Sequence, residues 1–412
     1  MQIRVLFLST VAFAGAKMKQ GLWLSCSDLR GLPSLYVTAL ENTFLGGIRF
    51  RKVLEMAYAS EIEKYQSTIS RALGWLKRNH EEAMKAEDFS AHYKAPFLYA
   101  VLGEPVLARE YLDLIENKYL QDDGDFRTSA SEKGWPHLPC SPANRYIYPN
   151  GWTILAFQRL GAYNIARKGL DFIRKFQSPD LGGFYSRYDP KTGVIGKDYI
   201  DSSSTSSAGL ALLGCGHIEE ALAAGEFLLR FIDAQPDLDK YYYSTWQVGK
   251  GLMTDVFGDE DPISATGRKQ FCVSTEENSK KELIWLPGVP LTFLCKLYEY
   301  TQDERFLRGS ERLFGFFDKI DEGKWVNPTA CKIMWGGAEL YRMTGNEKVG
   351  QAVKKIMDYF SDAQHETGFW LNSTLYKTPE EQPFPSKLDG VQEFTGEISD
   401  SLFNLAGGKI FE

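Results

Sequence analysis

The protein has 412 residues, with 47 lysines and arginines against 54 aspartates and glutamates, so its formal net charge is -7. Its apolar fraction of 43% excludes an intrinsically disordered chain. The acidic balance argues against a nucleic-acid-binding protein, and no apolar run approaches the roughly 20 residues that cross a bilayer. The six cysteines form no CxxC pair, which excludes a zinc ribbon and a disulfide-dense scaffold.

The amino terminus allows two interpretations. Residues 1–16 have one early charge, a mostly apolar stretch and a small-residue ending, which is the layout of a secretory signal peptide. A short buried helix is the alternative, so the sequence leaves open whether the protein is secreted or cytoplasmic. Residues 17–58 show little periodicity. We therefore expect an N-terminal lead-in over 1–58 and a single toroid domain over 59–412.

From about residue 60 onward, the apolar residues follow a helical period and the helices come in pairs. One helix of each pair is amphipathic, as in 218–232, and the other is apolar nearly all round, as in 207–213. A helix that is apolar on every side must be covered on every side. The sequence therefore predicts an all-α protein, an (α/α)6-type toroid of about six inner and six outer helices.

The links between the predicted helices alternate in length. Links from an inner to an outer helix are tight, as at 214–216, whereas links from an outer to an inner helix are long and rich in Gly, Pro, Tyr and Trp, as at 178–202. All long links would then emerge on one face of the ring. Functional residues concentrate on such loops above a rigid scaffold, so we expect the site at this mouth.

A glutamine follows each of three successive outer helices, at Gln121, Gln177 and Gln235. Its amide can donate to carbonyls left unpaired at the end of that helix. The segment Lys168-Gly169-x-x-Phe172-Ile173-x-x-x-Gln177-x-x-x-x-Gly182-Gly183-Phe184 resembles the Gln-Trp repeat of squalene and terpenoid cyclases, with Phe184 where that family prefers Trp. The resemblance implies a toroid and a cyclase or isomerase for an apolar substrate.

The C-terminal part has a second resemblance. Residues 293–307 and 339–347 are similar to helix pairs of six-hairpin glycosidases, uronyl hydrolases and acylglucosamine epimerases. This resemblance also implies a toroid, and it implies a carbohydrate-active enzyme. The sequence lacks the DxDD and DDxxD boxes of the cyclases, and the last helix pair lacks the histidine that the epimerases use.

The starts of the inner helices line the mouth of a toroid, and this placement selects the candidate catalytic residues. Asp201 and Glu393 are the predicted acid and base, because a carboxylate facing a partly dry cavity has a raised pKa. His92 is the third candidate. The alternatives are a helix N-cap for Asp201, an ion pair for Glu393 and a structural histidine for His92.

The candidate substrate-binding residues are aromatic and polar side chains at the same helix starts. Their rings suit a polyene or a sugar ring, although each ring taken singly also suits a core position. The residues are Arg145, Tyr148, Asn150, Trp152, Tyr199, Tyr243, Trp246, Trp285 and Trp335.

The first hypothesis for function is a cyclase or isomerase that folds an apolar terpenoid- or polyketide-like substrate in an aromatic cavity with acid–base assistance. A carbohydrate-active hydrolase, lyase or epimerase with two carboxylates is the first alternative, and a non-catalytic binding toroid is the second. Metal spacings such as HExxH and a P-loop are missing from the sequence, so we expect no metal or other cofactor. The expected partner is a small-molecule substrate, and the oligomeric state stays open.

Overall fold

The computed structural model describes residues 62–128, 145–254, 271–276 and 279–407. The predicted signal peptide at 1–16 and the lead-in at 1–58 lie outside the described residues. Across the described ranges, none of the helices has the length and apolar character that a membrane span needs.

Within the described residues, six inner helices form a closed ring in which each helix contacts the next and the last contacts the first. They are α3 (Ala95–Val101), α5 (Tyr148–Arg159), α7 (Ser202–Gly214), α9 (Trp285–Thr301), α11 (Cys331–Thr344) and α13 (Phe384–Gly407). The outer helices are α1 (62–78), α4 (Pro105–Lys118), α6 (Tyr163–Arg174), α8 (Ile218–Asp233), α10 (Glu304–Lys319) and α12 (Glu347–Ala363), with a short α2 (His80–Lys85) between α1 and α3. The predicted all-α toroid is confirmed.

Burial explains the two shells. In the outer helix α12 the buried residues form one stripe that includes Val349, Val353 and Phe360. The inner helix α7 is buried on every side over Ser202–Leu212, although it begins with six consecutive serines and threonines. Two of its hydroxyls donate to backbone carbonyls, Ser206 to that of Ser202 at 2.6 Å and Ser207 to that of Tyr148 at 2.7 Å. These bonds satisfy part of the polar helix start that is buried.

Two glycines let inner helices approach closely. A Cβ at Gly151 of α5 would lie 2.2 Å from the hydroxyl oxygen of Ser207 in α7, and a Cβ at Gly288 of α9 would lie 2.6 Å from the backbone of Lys332 in α11. No side chain fits at either contact. The second glycine therefore fixes the position of a lysine that points into the ring.

The glutamines after the outer helices join neighbouring helices. Gln177 donates a 2.8 Å bond to the carbonyl of Glu220 in α8, and Gln364 donates a 3.0 Å bond to the carbonyl of Thr68 in α1. The expectation that the amide bonds the end of its own helix is therefore wrong for Gln177. Gln364, for which the sequence made no prediction, likewise bonds the next outer helix. Gln121 does bond the end of its own helix, as predicted.

The outer shell closes between the last and first outer helices. Arg71 of α1 donates a 2.7 Å bond to the side chain of Gln364, which follows α12. Gly368 has a φ of 109°, and a Cβ there would lie 2.3 Å from the carbonyl oxygen of Arg71. Trp75 stacks at 5.8 Å on Phe384 at the start of α13. These contacts join residues separated by about three-quarters of the chain.

Short antiparallel strands lie in the long links. The strands are β1 (Tyr185–Asp189), β2 (Val194–Asp201), β3 (Tyr241–Tyr243), β4 (Thr245–Gln247), β5 (Gly251–Leu252) and β6 (Cys272–Ser274). One sheet has the order β1-β2-β4-β5, and β3 pairs with β6. Asp201 pairs with Thr245 at the end of β2, and α7 begins at the next residue. None of these strands was predicted from the sequence.

The aromatic position of the repeat offers a test of the packing. Phe184 is fully buried, and its backbone N–H donates a 3.0 Å bond to Thr205 of α7. We expect Phe184→Ala to lower the free energy of unfolding by about 3–5 kcal/mol, because the lost ring leaves a cavity between two shells. Urea unfolding measures the loss. Tyr163→Ala, at a ring that is 62% exposed, is the control and should change stability by less than about 0.5 kcal/mol. Equal midpoints for the two variants would contradict the repeat.

Candidate active site

Five charged side chains meet inside the ring, and we call them the central cluster. The ammonium of Lys94, just before α3, lies 2.9 Å from carboxylate oxygens of both Asp389 and Glu393. The ammonium of Lys332, in the first turn of α11, lies 2.6 Å from Glu393 and also pairs with Glu397. The three acids follow one another at steps of four residues, so they share the face of α13 that is turned into the ring.

The central cluster is almost completely shielded from water. The side chain of Lys332 is 1% exposed and that of Glu397 is 4% exposed. Charges buried to this degree are stable only when they are paired and hydrogen-bonded. Alternation of ammonium and carboxylate groups meets this condition, so the cluster is held together as a unit.

The two glutamates have opposite pKa shifts. Burial by itself raises the pKa of Glu393, but Lys332 and Lys94 outweigh it and hold that pKa well below its usual range. Burial raises the pKa of Glu397 to about 7; Lys332 and Cys331 oppose the rise, and the charge of Glu393 adds to it. Glu393 is therefore ionised, and Glu397 can accept or release a proton near neutral pH.

Aromatic rings cover one side of the cluster. The ammonium of Lys332 lies 4.5 Å from the ring centroid of Trp152 in α5. Trp335 of α11 lies 5.1 Å from Trp152, and Phe97 of α3 meets it edge-on at 5.3 Å. The indole N–H of Trp335 donates a 2.6 Å bond to Asp400, which fixes the ring. The rings exclude water and stabilise the ammonium by cation–π attraction.

A small cavity lies beside the cluster. It has an empty volume of about 230 Å³, but the centre of a water molecule can reach only about 10 Å³ of it, which is room for roughly one water. Its lining residues are Lys94, Phe97, Trp152, Lys332, Gln392, Glu393, Gly396 and Glu397. A substrate enters only if side chains of the lining move aside. A larger depression on the outer wall between α6 and α8 contains none of these residues.

A second buried ion network lies further along the inner helices. Glu339 of α11 is 1% exposed and pairs with Lys296 at 2.6 Å and with Arg342 at 2.9 Å. Asn404, near the end of α13, donates a 3.1 Å bond to the same carboxylate. Since these residues lie towards the C-terminal ends of their helices, the network is at the end of the ring opposite the mouth.

The structure brings several of the predicted site residues together. Tyr148 lies 6.3 Å from Trp152 and 5.8 Å from Trp285, measured between ring centroids, and the guanidinium of Arg145 lies 5.1 Å from Trp285. These residues form a continuous group at the starts of α5 and α9. The members that the sequence predicted are Arg145, Tyr148, Trp152, Trp285, Trp335 and Glu393.

Asp201 does not line the cavity. Its carboxylate accepts bonds of 2.9 Å from the N–H of Ser203 and 2.8 Å from the N–H of Ser204, so it caps α7. Burial raises its pKa, with the charge of Arg145 opposing the rise. The geometry thus supports the N-cap alternative and gives no support to the predicted acid–base role.

Of the nine predicted substrate-binding residues, Trp152 alone is in the cavity lining. Four others also lie outside the group that Arg145, Tyr148, Trp285 and Trp335 form with Trp152; they are Asn150, Tyr199, Tyr243 and Trp246. The Asn150 amide donates a 2.8 Å bond to the buried Asp125, and Trp246 packs on Phe227 of the outer helix α8. Arg187 covers the ring of Tyr199 at 4.3 Å, and Tyr243 belongs to a separate small core. The short strands of the long links direct the side chains of Tyr199, Tyr243 and Trp246 away from the centre of the toroid.

His92 is buried between aromatic rings. One ring nitrogen lies 2.9 Å from the carbonyl oxygen of Ala86, and the imidazole centroid lies 5.9 Å from Tyr111 and 5.4 Å from Tyr119. Burial lowers its pKa to about 4. It is therefore neutral near pH 7, and it does not line the cavity. The structural alternative fits this placement better than the catalytic one.

The lowered pKa of His92 makes stability depend on pH. The folded protein binds fewer protons here than the unfolded chain between about pH 6.5 and 4, so the contribution is complete above pH 6.5 and is lost as the pH falls through this window. We expect acidification from pH 7 to pH 4 to remove about 3 kcal/mol through this group. Urea unfolding of the wild type and of His92→Gln at several pH values tests this. Identical pH dependence in both proteins would contradict the assignment.

Four members of the central cluster were missed from sequence: Lys94, Lys332, Asp389 and Glu397. A usable signal was present for two of them. Lys332 is a single charge in a stretch, 330–338, that is otherwise uncharged and mostly apolar, and Glu397 follows the predicted Glu393 by one helical turn. Lys94 and Asp389 had no comparable signal.

Among the described residues, one group of side chains has a spacing compatible with a metal ion. Ligand atoms of Cys331, Glu393 and Glu397 all lie within 4.8 Å of one another. Lys332, however, bonds both carboxylates, so its ammonium already occupies the position that a cation would take. The donor set does not favour a metal.

No protein-family model and no curated protein matches the chain. Solved structures do match it. A D-mannose isomerase has 10% identity and a TM-score of 0.56, covering 76% of this chain and 87% of its own. An unsaturated glucuronyl hydrolase specific for heparin has 11% identity and a TM-score of 0.54, and the match covers 82% of this chain and 97% of the hydrolase. A GH76 α-mannanase of Bacteroides thetaiotaomicron has 13% identity and a TM-score of 0.53, and the match covers 82% of this chain and 95% of the mannanase.

At these identities, the likeness shows the fold alone. The toroid implied by both sequence resemblances is therefore confirmed. The terpenoid-cyclase part of the first resemblance gains no support, because none of the three structures is a cyclase.

Proposed function

We propose that the protein is a carbohydrate-active enzyme that transfers a proton next to the carbonyl of a sugar, as an isomerase or an epimerase does. The observation that carries the proposal is the central cluster of Lys94, Lys332, Asp389, Glu393 and Glu397. The solved structures of similar fold support it, since they are a D-mannose isomerase, an α-mannanase and an unsaturated glucuronyl hydrolase.

The central cluster does not suit an apolar terpenoid- or polyketide-like substrate. An apolar molecule would remove the remaining water from the charged groups and offer no hydrogen bonds in return. A sugar offers hydroxyl groups that both donate and accept, together with a flat face for Trp152. The carbohydrate alternative is thus favoured over the cyclase hypothesis.

The proposed chemistry assigns a role to each charged group. Glu397 in its ionised form takes the proton from the carbon next to the carbonyl, and negative charge moves to the carbonyl oxygen. Lys332 and Lys94 stabilise that oxygen, as preorganised donors do for other oxyanions. The proton of the hydroxyl on the deprotonated carbon passes to that oxygen, and Glu397 returns the carbon-derived proton to the former carbonyl carbon. The carbonyl and the hydroxyl thereby exchange places, which completes the isomerisation. Glu393 holds both ammonium groups in place.

Hydrolysis of a glycosidic bond is the second candidate, and the spacing of the two glutamates favours it. Their oxygens lie within 4.8 Å, near the roughly 5–5.5 Å of retaining glycosidases and below the 6.5–9.5 Å of inverting ones. The lysines oppose this reading, because the transition state of hydrolysis is positively charged. An enediolate is negatively charged, so the same lysines favour proton transfer.

Solvent isotope exchange tests the proposal. We expect the protein in D2O to incorporate deuterium next to the carbonyl of D-mannose, D-glucose or D-fructose, with interconversion visible by NMR. Release of reducing sugar from mannan or a nitrophenyl mannoside without exchange would favour the hydrolase instead. Absence of both activities on these sugars would contradict the proposal.

A further inference from the structure

Three polar atoms of the cavity lining are buried and have no hydrogen-bond partner. They are the indole nitrogen of Trp152, the amide oxygen of Gln392 and one carboxylate oxygen of Glu397. An unpaired buried donor or acceptor costs about 1–3 kcal/mol, so such atoms are rare unless a ligand or water completes them. The residues that carry these atoms lie on α5 and α13, both of which line the cavity.

The orientation of the Gln392 amide is fixed by the backbone. Its nitrogen donates a 2.9 Å bond to the carbonyl of Ala91, and the side chain is 1% exposed. A flipped amide would place its oxygen against that carbonyl, so the oxygen must be the free acceptor. The indole N–H of Trp152 can only donate. A hydroxyl group, which both donates and accepts, complements the pair.

The acids of the cluster outnumber its ammonium groups. The ammonium groups of Lys94 and Lys332 face three carboxyl groups, of Asp389, Glu393 and Glu397. The cavity therefore has no excess positive charge in either protonation state of Glu397. A carboxylate or phosphate on the ligand would bring an uncompensated negative charge into a buried site.

We infer that the cavity takes a neutral polyhydroxy ligand, a sugar without a carboxylate or phosphate group, and that Gln392 accepts and Trp152 donates a hydrogen bond to its hydroxyls. The inference rests on the proposed function to the extent that both place a sugar in this cavity. It makes Gln392 a specificity-determining residue, although Gln392 carries no charge and takes no part in the proton transfer.

Calorimetric titration of the full chain with four probes tests the inference. D-mannose and D-glucose should bind at least tenfold more tightly than D-glucuronate and D-glucose 6-phosphate. Equal or tighter binding of either anionic sugar overturns the inference, and so does failure of all four to bind. Turnover of D-glucuronate alone, in the isotope-exchange assay, would overturn it and leave the proposed function standing. Tight binding of the neutral sugars without deuterium exchange would support the inference and contradict the proposed function.

The role of Gln392 is tested by Gln392→Leu. We expect the affinity for the neutral sugars to fall by about tenfold, the worth of one hydrogen bond. Gln351→Leu, at an exposed position of α12, is the matched control and should bind as the wild type does. Deoxy-glucoses titrated against the wild type give the same information without a variant, because one missing hydroxyl should reproduce the loss. Unchanged affinity both for Gln392→Leu and for every deoxy-glucose overturns the assignment.

Discussion

We expect Glu397→Gln to lower the rate of proton exchange on a sugar substrate by about 10²–10⁴-fold and to leave the chain folded. The amide cannot take a proton from carbon. The pKa of Glu397, raised by burial to about 7, lies near working pH, where a general base is most effective. Lys332 keeps its bond to Glu393 in this variant, so the cluster loses one charge and no ammonium becomes unpaired.

The measurement is the initial rate of deuterium incorporation, with circular dichroism as the check on folding. In the wild type, the rate should rise as the pH increases through about 7 and then level, because the ionised form of Glu397 is the active one. Glu347→Gln, at an exposed acid at the start of α12, is the control and should retain full activity. A Glu397→Gln rate within threefold of the wild-type rate would exclude Glu397 as the base.

The second large effect concerns stability. We expect Lys332→Met to lower the free energy of unfolding by about 3–5 kcal/mol at neutral pH, the cost of leaving buried charges without their partner. Glu393 and Glu397 would then face each other inside the ring, and only Lys94 would remain to pair with Glu393. The variant protein should relieve this by binding a proton.

That proton uptake predicts how the stability of the Lys332→Met variant changes with pH. Without Lys332 the pKa of the buried Glu397 lies still further above its unfolded value, so the variant loses stability as the pH rises above about 4.5 and its deficit shrinks on acidification. Lys355→Met is the control: its pair with Glu322 lies at 3.3 Å between side chains that are 52% and 85% exposed, and removing it should cost less than about 1 kcal/mol. Urea unfolding that gives equal losses for the two lysines would show that the central cluster is not structural.

The fold was accessible from sequence because helical periodicity is local. The all-round burial of α7 and the single stripe of α12 are both legible in the residues themselves, and two kinds of helix in alternation leave few arrangements besides a double ring. The glutamine repeat added the spacing between successive helix pairs. What sequence could not give was the partner of each glutamine, since the bond from Gln364 to Thr68 joins residues that are 296 positions apart in the chain.

The site was only partly accessible, for the same reason. Trp152 and Tyr148 were found because they stand at or near helix starts on the mouth side. Glu393 was predicted on the same ground, but α13 begins at Phe384 and Glu393 is its tenth residue. Lys94 and Lys332 were not found because lysine is ordinarily a surface residue, and only the tertiary structure shows that both ammonium groups converge on α13. Other residues were predicted at the mouth although they do not lie there. Trp246 is one of them, because the short strands in the long links turn it towards the outer shell.

The closure of the outer shell by α1 has a consequence for biosynthesis. The ribosome makes α1 and Lys94 before α13, so in the interval between them the nascent chain is an open arc with its charged groups in water. Neither the ring nor the proposed proton-transfer centre can exist until the final helix has left the exit tunnel. At roughly 5–20 residues per second, the interval between Lys94 and Glu397 lasts on the order of tens of seconds. Premature termination before α13 would therefore yield an inactive arc with exposed inner helices, a substrate for chaperones and proteases.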